Sequence, residues 1–409
     1  MNPSGPDELA RGSMIVLYTD IGRGHPNYLD SVMRYIRKNH PEKYQNIHKT
    51  SVFTISRGLS RLSWQSANLM YRIGSSGGFV SRLYSRMRSG SSVRTEDSSA
   101  LRLLGRDIRK YFADYNGLCV VGHPLIASIL VQSNRVHYIN GEIAAPSESA
   151  VVGVERVYVP LRETAQKMIS LGVEPEVIFE TGLMIEPEIH DGTEGAISRR
   201  LERVGASSTP LTIGFFVSGA YPKNHVRLMR IAAKSCHRCG HRVRMFWGWR
   251  HDHVRNLLDQ VRKFDPAVSV DSDCKGDRID SETVVISGKS REEETLTSLK
   301  YISGLDVFCA APHERVNWAV GIGLPMVLIL PTIGSFAPEN RDIVLKSKCG
   351  ISISGIQEAS ILGERLCELR DSGGLSEMVK SGWGAFPISG VRRTAEALLD
   401  SMASLSHAS

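Results

Sequence analysis

Acidic side chains are missing from one long stretch of this sequence. Between Tyr44 and Thr95 there is no Asp or Glu, while Lys49, Arg57, Arg61, Arg72, Arg82, Arg86, Arg88 and Arg94 are all cationic. Fifty Lys and Arg against 43 Asp and Glu leave the chain at +7, so these residues alone exceed the whole excess and the remainder is close to neutral. That distribution excludes a uniformly polycationic protein and directs the search for an anionic partner to one region. Long apolar runs are also missing. The longest, Leu324 to Pro331, has the length of a buried strand and falls far short of the roughly 18 residues a membrane-spanning helix needs. Cysteine is scarce: seven in 409 residues, an odd number with nothing like a secretory signal ahead of them. This excludes a disulfide scaffold and implies free thiols in a reducing compartment.

A second cysteine pair at finger spacing is absent too. Cys236-His-Arg-Cys239-Gly-His241 therefore reads as two thiols at a helix end beside the next strand, and no metal site is expected. Gly240 stands where a haem-attachment motif needs histidine. What remains is ordinary: 42% hydrophobic and 23% charged residues describe a globular chain, and its length has room for two or three domains. Residues 1–13 read as a disordered leader or tag.

From Met14 to Thr19 a β-branched run reads as a strand, followed by the turn Asp20-Ile-Gly-Arg-Gly-His25. A helical pattern near Asn27 then places Tyr28, Val32, Tyr35 and Ile36 on one face. Strand, glycine turn and helix open a nucleotide-binding βα unit. The alternation recurs at Leu118–Val121 before Gly122-His-Pro124, at Arg156–Val159, and at the helix Arg162–Leu171. Residues 191–210 are polar and punctuated by glycine and proline, which makes them a linker. Beyond them come strands at Leu211–Val217, Val243–Trp247, Val284–Ile286, Asp306–Ala310 and Met326–Leu330, interleaved with helices. The expected class is α/β: two doubly wound, Rossmann-like domains, 14–190 and 211–409, with a cleft between them. Strand carboxyl ends at 20–25, 122–124, 218–223, 248–250, 311–315 and 331–340 should face that cleft.

The glycine turn lets the backbone approach a ligand, and the helix after it offers unpaired N–H groups. A histidine at the helix start is placed to take a proton near neutral pH. Pattern alone fits a structural turn equally well.

Thr19-Asp-Ile-Gly-Arg-Gly-His25 resembles the S-D-x-G-G-G-H opening of the monogalactosyldiacylglycerol synthases and bacterial diacylglycerol glucosyltransferases. These are relatives of the transferase that adds N-acetylglucosamine to the murein lipid precursor. Val120-Val-Gly-His-Pro-Leu125 is similar to their V-x-S-V-H-P-L strand end, and Thr181-Gly-Leu to their T-G-I. In the second half, Phe246-Trp-Gly248 resembles their C-G strand end. Gly321-Ile-Gly-Leu-Pro325, with Pro331 and Glu339-Asn340, resembles their A-x-G-L-P, P, N block. The matches run in order from about residue 14 to 390. The resemblance implies the two-domain glycosyltransferase-B (GT-B) fold and inverting transfer of a sugar from a nucleotide-sugar donor to a hydroxyl, with no cofactor. It makes His25 the base, Asp20 its partner or substitute, and His123 a second candidate. It places the donor against Gly24, Ser218, Gly219, Lys223, Gly248, Arg250, His313, Glu314, Arg315, Trp318, Glu339 and Asn340.

Departures from the family fall on the donor side. Pro312-His313-Glu314-Arg315 stands where relatives carry a glycine pair, and Trp318 where they place a ribose-binding glutamate. Pro146-Ser-Glu-Ser149 replaces their H-P-T-W segment. His313, Arg315, Arg250 and Lys223 are cations that can offset a diphosphate, and they are equally ordinary surface charges.

The basic stretch interleaves its charges with Leu59, Leu62, Trp64, Leu69, Met70, Phe79 and other apolar groups at near-helical spacing. Such a segment can lie on an anionic bilayer or pack on its own domain. By the family resemblance it is the acceptor and membrane side, comprising Arg57, Arg61, Trp64, Arg72, Phe79, Arg82, Arg86 and Arg88, with Glu142 added. The expected partners are a nucleotide sugar, a lipid or hydrophobic acceptor and the inner face of the membrane, without nucleic acid. A nucleotide-sugar hydrolase or epimerase, or a relative that only binds ligand, are the alternatives.

Overall fold

The computed structural model describes residues 13–19, 24–74, 99–207, 209–248, 250–272 and 281–407, without the side chains of 24, 25, 71–74, 99, 100, 406 and 407. The chain divides into two units, Met1–Pro187 with Pro387–Ser409, and Glu188–Phe386.

Unit 1 is built on six parallel strands: β1 (Met14–Tyr18), β2 (Ile47–Ser51), β3 (Leu118–Val121), β4 (Arg135–Ile139), β5 (Arg156–Val159) and β6 (Ile178–Glu180), in the order β2-β1-β3-β4-β5-β6. Alternation along the strands sends Ile15, Leu17, Cys119, Val121, Val136 and Tyr138 to one face, and Met14, Val16, Leu118, Val120 and Ile139 to the other. Both faces are apolar because both are covered, as a parallel sheet requires. The helices Ser99–Tyr111 and Pro124–Leu130 cover the first face. On the second lie the helix Gly24–Asn39, through Tyr28, Leu29, Val32, Met33 and Ile36, and the helix Gly390–His407, through Val391, Ala395, Leu398 and Met402. Residues 387–409 thus complete unit 1, although the strand count placed them in the second domain.

Unit 2 holds seven parallel strands: β7 (Thr212–Phe216), β8 (Arg242–Phe246), β9 (Ser269–Asp271), β10 (Thr283–Ile286), β11 (Val307–Ala310), β12 (Met326–Ile329) and β13 (Gly350–Ile353), in the order β13-β12-β11-β7-β8-β10-β9. One face packs Ile213, Phe215, Val243, Met245, Val285 and Cys309 against flanking helices. The other carries an aromatic cluster in which Phe216 stacks on Phe246 at 4.0 Å and meets Phe308 and Trp318 edge-on.

The stretch 191–210, expected to be a linker, contains the helix Thr193–Gly205. Its polar composition hides a buried stripe of Ala196, Ile197, Arg200 and Val204. Arg200 is tolerated there because its guanidinium donates to the carbonyls of Leu305 (2.9 Å), Ile322 (2.9 Å), Gly323 (3.0 Å) and Ile302 (3.3 Å). Beside it Arg203 pairs with the buried Asp306 at 2.6 Å.

Candidate functional site

Where a sheet reverses its winding direction, the carboxyl ends of neighbouring strands open a crevice for ligands. In unit 1 the reversal lies between β1 and β3, so the segments after Thr19 and after Val121 flank it. In unit 2 it lies between β7 and β11, flanked by 217–222 and 311–315. The sequence-nominated residues divide between these two places.

Around the unit 1 reversal, Asp20 and the His25 side chain lie outside the described residues, and the helix begins at Gly24. His123 is buried and caps the helix Pro124–Leu130, its Nδ1 accepting the Leu125 N–H at 3.2 Å. This corrects its expected role as a base. With Nδ1 engaged as an acceptor, the neutral ring carries its proton on Nε2 and can only donate there. One strand over, past the end of β4, Asn140 is fully buried, accepts from the Tyr138 hydroxyl at 3.5 Å and donates to the Glu142 carbonyl at 3.1 Å. Glu142 and Glu148 are both buried. Burial, then these two carboxylates, push the Tyr138 hydroxyl far above the ordinary tyrosine range. Glu148 was not among the nominated residues, although it sits in the segment where the family pattern breaks down. Its burial follows from the loop's return onto β4 and is not visible in composition.

At the unit 2 reversal, Ser218 and Gly219 are half-buried in the turn after β7, which closes with Tyr221 N–H donating to Ser218 at 3.0 Å. Tyr221 has φ +49°, its hydroxyl donates to the Trp247 carbonyl at 2.5 Å, and its ring stacks on His253 at 4.1 Å beneath the Arg250 guanidinium. Gly248, at φ +79°, is required here, since a Cβ would collide with the Tyr221 hydroxyl. Lys223 is exposed at the first position of the helix Lys223–Arg238. The neighbouring His225 is buried: its Nε2 donates to the Pro331 carbonyl at 2.9 Å and its Nδ1 has no hydrogen-bond partner. Burial, and secondarily His313, hold His225 neutral, its pKa lowered to about 4 despite the Pro331 bond. His225 escaped the sequence reading because nothing in the surrounding pattern marks a histidine on the buried side of a helix.

Across the reversal, Arg315 is buried, paired with Glu314 at 2.9 Å, and sits 4.8 Å above the Phe216 ring and 5.4 Å from that of Trp318. His313 is half-buried, and desolvation lowers its pKa. Trp318, expected to touch the donor, belongs to the aromatic core, its indole against Phe216 and Phe308. The short helix Val316–Gly321 turns it inward. Asn340 is likewise buried and donates to the Pro312 carbonyl at 3.3 Å, so it steadies the 312–315 loop, while Glu339 is exposed.

On the acceptor side, Trp64 is fully buried, its Nε1 donating to the Leu104 carbonyl at 3.0 Å. The membrane-facing role expected of it is corrected: it anchors the helix Gly58–Gly74 to its own unit. Arg57 and Arg61 are exposed; Arg72, Phe79, Arg82, Arg86 and Arg88 lie outside the described side chains. On the outer face of that helix Leu59, Leu62, Leu69 and Met70 are each more than half exposed.

No family model and no curated protein sequence matches the chain. Solved structures do. The UDP-GlcNAc 2-epimerase from Neisseria meningitidis, bound to UDP-GlcNAc, is 11% identical with a TM-score of 0.51, over 95% of this chain and 99% of that one. S. aureus MnaA, solved with UDP, is 9% identical with a TM-score of 0.53, over 95% and 94%. A further UDP-N-acetylglucosamine 2-epimerase is 10% identical with a TM-score of 0.50, over 97% and 96%. The fold is GT-B-like. At such identities the likeness concerns the fold: two parallel α/β units in the same order along nearly the full length of both chains.

Proposed function

We propose that this protein is an enzyme acting on a nucleotide sugar, with a UDP-sugar as donor, and that it transfers the sugar to a hydroxyl of a lipid or other hydrophobic acceptor. The observation that carries this reading is the placement of the donor-side residues at the winding reversal of unit 2. There Ser218, Gly219, His313 and Arg315 come from the two strand ends that a doubly wound sheet uses for ligands. Similarity in fold to enzymes solved with UDP or UDP-GlcNAc supports the choice of nucleotide.

In such a transfer the acceptor hydroxyl attacks the anomeric carbon, its proton passes to a base, and the diphosphate leaves against positive or N–H groups. Lys223, Arg250 and Arg315 are the cations at these strand ends. Arg315, pinned by Glu314 and two aromatic rings, has little conformational freedom left to lose on binding. His25 remains the proposed base, with Asp20 as its partner or substitute. Membrane contact is proposed for the helix Gly58–Gly74. Its exposed Leu59, Leu62, Leu69 and Met70 share the helix with Arg61, which Arg57 immediately precedes, and lie next to a helix whose Arg102 and Arg106 are exposed. A peripheral position on the cytoplasmic face follows from that contact.

The fold similarity to 2-epimerases favours a second reading, inversion at C2 of a UDP-sugar without an acceptor. One experiment separates the two. Incubation with labelled UDP-sugars and a lipid extract in D2O should move label into the organic phase. Deuterium appearing at C2 of the nucleotide sugar, with no label in lipid, would instead establish epimerisation. His25→Ala should abolish transfer while leaving the thermal shift by UDP intact; full activity in that variant would remove His25 from the chemistry.

A further inference from the structure

The Cys236-x-x-Cys239-Gly-His241 motif has no part in the site above, and among the described residues no three His, Cys, Asp or Glu side chains are grouped to hold a metal. Its partner lies 126 residues further along the chain. The helix Leu362–Asp371 approaches the end of the helix Lys223–Arg238 so closely that Gly363 must be glycine. A Cβ there would lie 2.6 Å from the Ser235 carbonyl and 2.7 Å from Cys239 Sγ, and the Gly363 N–H donates to Ser235 Oγ at 3.0 Å. Cys367 is one helical turn beyond Gly363 and so lies on the same face. His241 is buried and stays neutral because desolvation lowers its pKa. Its Nδ1 accepts the Leu211 N–H at 3.4 Å, which leaves the ring proton on Nε2, 3.4 Å from Cys367 Sγ. That N–H is therefore directed at the Cys367 sulfur. Of the six described cysteines, Cys119, Cys236, Cys309 and Cys349 are buried, and only Cys239 and Cys367 are partly open to solvent. Burial, and after it the neighbouring Cys367 and Glu364, raise the Cys239 thiol above its ordinary range.

We propose that Cys367 and Cys239 form a reversible thiol–disulfide pair whose oxidant is a peroxide. The Cys367 thiolate attacks one peroxide oxygen and the O–O bond breaks. Sulfur is left as a sulfenic acid, and the departing hydroxide takes the thiol's proton to become water. Cys239 then attacks the Cys367 sulfur, the S–O bond breaks, the disulfide forms and a second water leaves. The two thiols lose two electrons and the peroxide gains them. The bridge ties the C-terminal end of the helix that starts at the candidate donor site to the helix Leu362–Asp371.

The test is peptide mapping of the full chain, without reductant, after hydrogen peroxide. The expected product is a linked Cys239/Cys367 peptide lighter by two hydrogens and reversed by dithiothreitol. In Cys239→Ser, Cys367 should be trapped by dimedone as the sulfenic acid; in Cys367→Ser, Cys239 should stay an unmodified thiol. Wild-type protein whose two cysteines remain alkylatable after peroxide overturns the proposal. So does a bridge from either of them to Cys274 or to another cysteine.

Discussion

A guanidinium shut away from water has to find its hydrogen bonds in the backbone, and Arg200 does so with four carbonyls from two segments, 302–305 and 322–323. Hydrogen bonds from a charged donor are worth more than neutral ones, and buried acceptors left unpaired are costly. Arg200→Ala should therefore destabilise unit 2 by about 3 kcal/mol or more, read as a lower denaturation midpoint in urea. His225 gives a pH-dependent counterpart. Its pKa is lowered in the fold to about 4, against about 6.5 in the unfolded chain. The stability it protects is fully present above pH 6.5 and is lost as the pH falls toward 4, because the unfolded state takes up the proton first. Urea unfolding of the unit 2 transition at pH 7.5 and pH 5 should show this loss, and His225→Gln should flatten it. Sequence alone exposed the cationic and glycine-rich positions at strand ends. It could not distinguish Trp318 in the core from Trp318 at a ligand, since an indole serves either place and only the inward turn of its helix decides.

Among elements, strands with β-branched or aromatic runs are legible: β1, β3, β5, β7, β8, β10, β11 and β12 agree with the reading to within a residue or two. Those that were not legible have physical reasons. β2 reads Ile-His-Lys-Thr-Ser because it is an edge strand with two exposed side chains. β4 carries His137 at a buried position, its Nδ1 hydrogen-bonded to the Tyr158 hydroxyl at 2.9 Å. The helix Thr193–Gly205 reads as a linker in sequence because an arginine occupies its buried face. Alanine at Gly248 has to adopt φ +79° and push aside the Tyr221 hydroxyl. Gly248→Ala should cost about 2 kcal/mol and lower the melting temperature of unit 2, with Tyr221→Phe recovering part of the loss by removing the colliding oxygen.

For the whole molecule, the alternation of strand and helix was enough to give two doubly wound sheets. The boundary of the second domain was not legible, because an amphipathic helix reads alike whichever core it joins. The helix Gly390–His407 joins the first. Its Val391, Ala395, Leu398, Leu399 and Met402 cover the face formed by Met14, Val16, Leu118 and Val120. Leu183 N–H donates to the Pro387 carbonyl at 2.7 Å, and Gly390 N–H to the Leu183 carbonyl at 3.1 Å. Truncation after Phe386 should leave unit 2 resistant to limited proteolysis while unit 1 is degraded; a protected unit 1 fragment would show that its core closes without this helix.

That return of the chain also sets an order on synthesis. Every residue of unit 2 has been made by Phe386, whereas unit 1, begun first, still lacks the helix that covers one face of its sheet. As the polypeptide leaves the ribosome, the unit encoded second is the first able to close its core. Until residues 390–407 emerge, the apolar face of β1 and β3 is covered only in part, by the helix Gly24–Asn39, and the remainder is a surface for chaperones to shield.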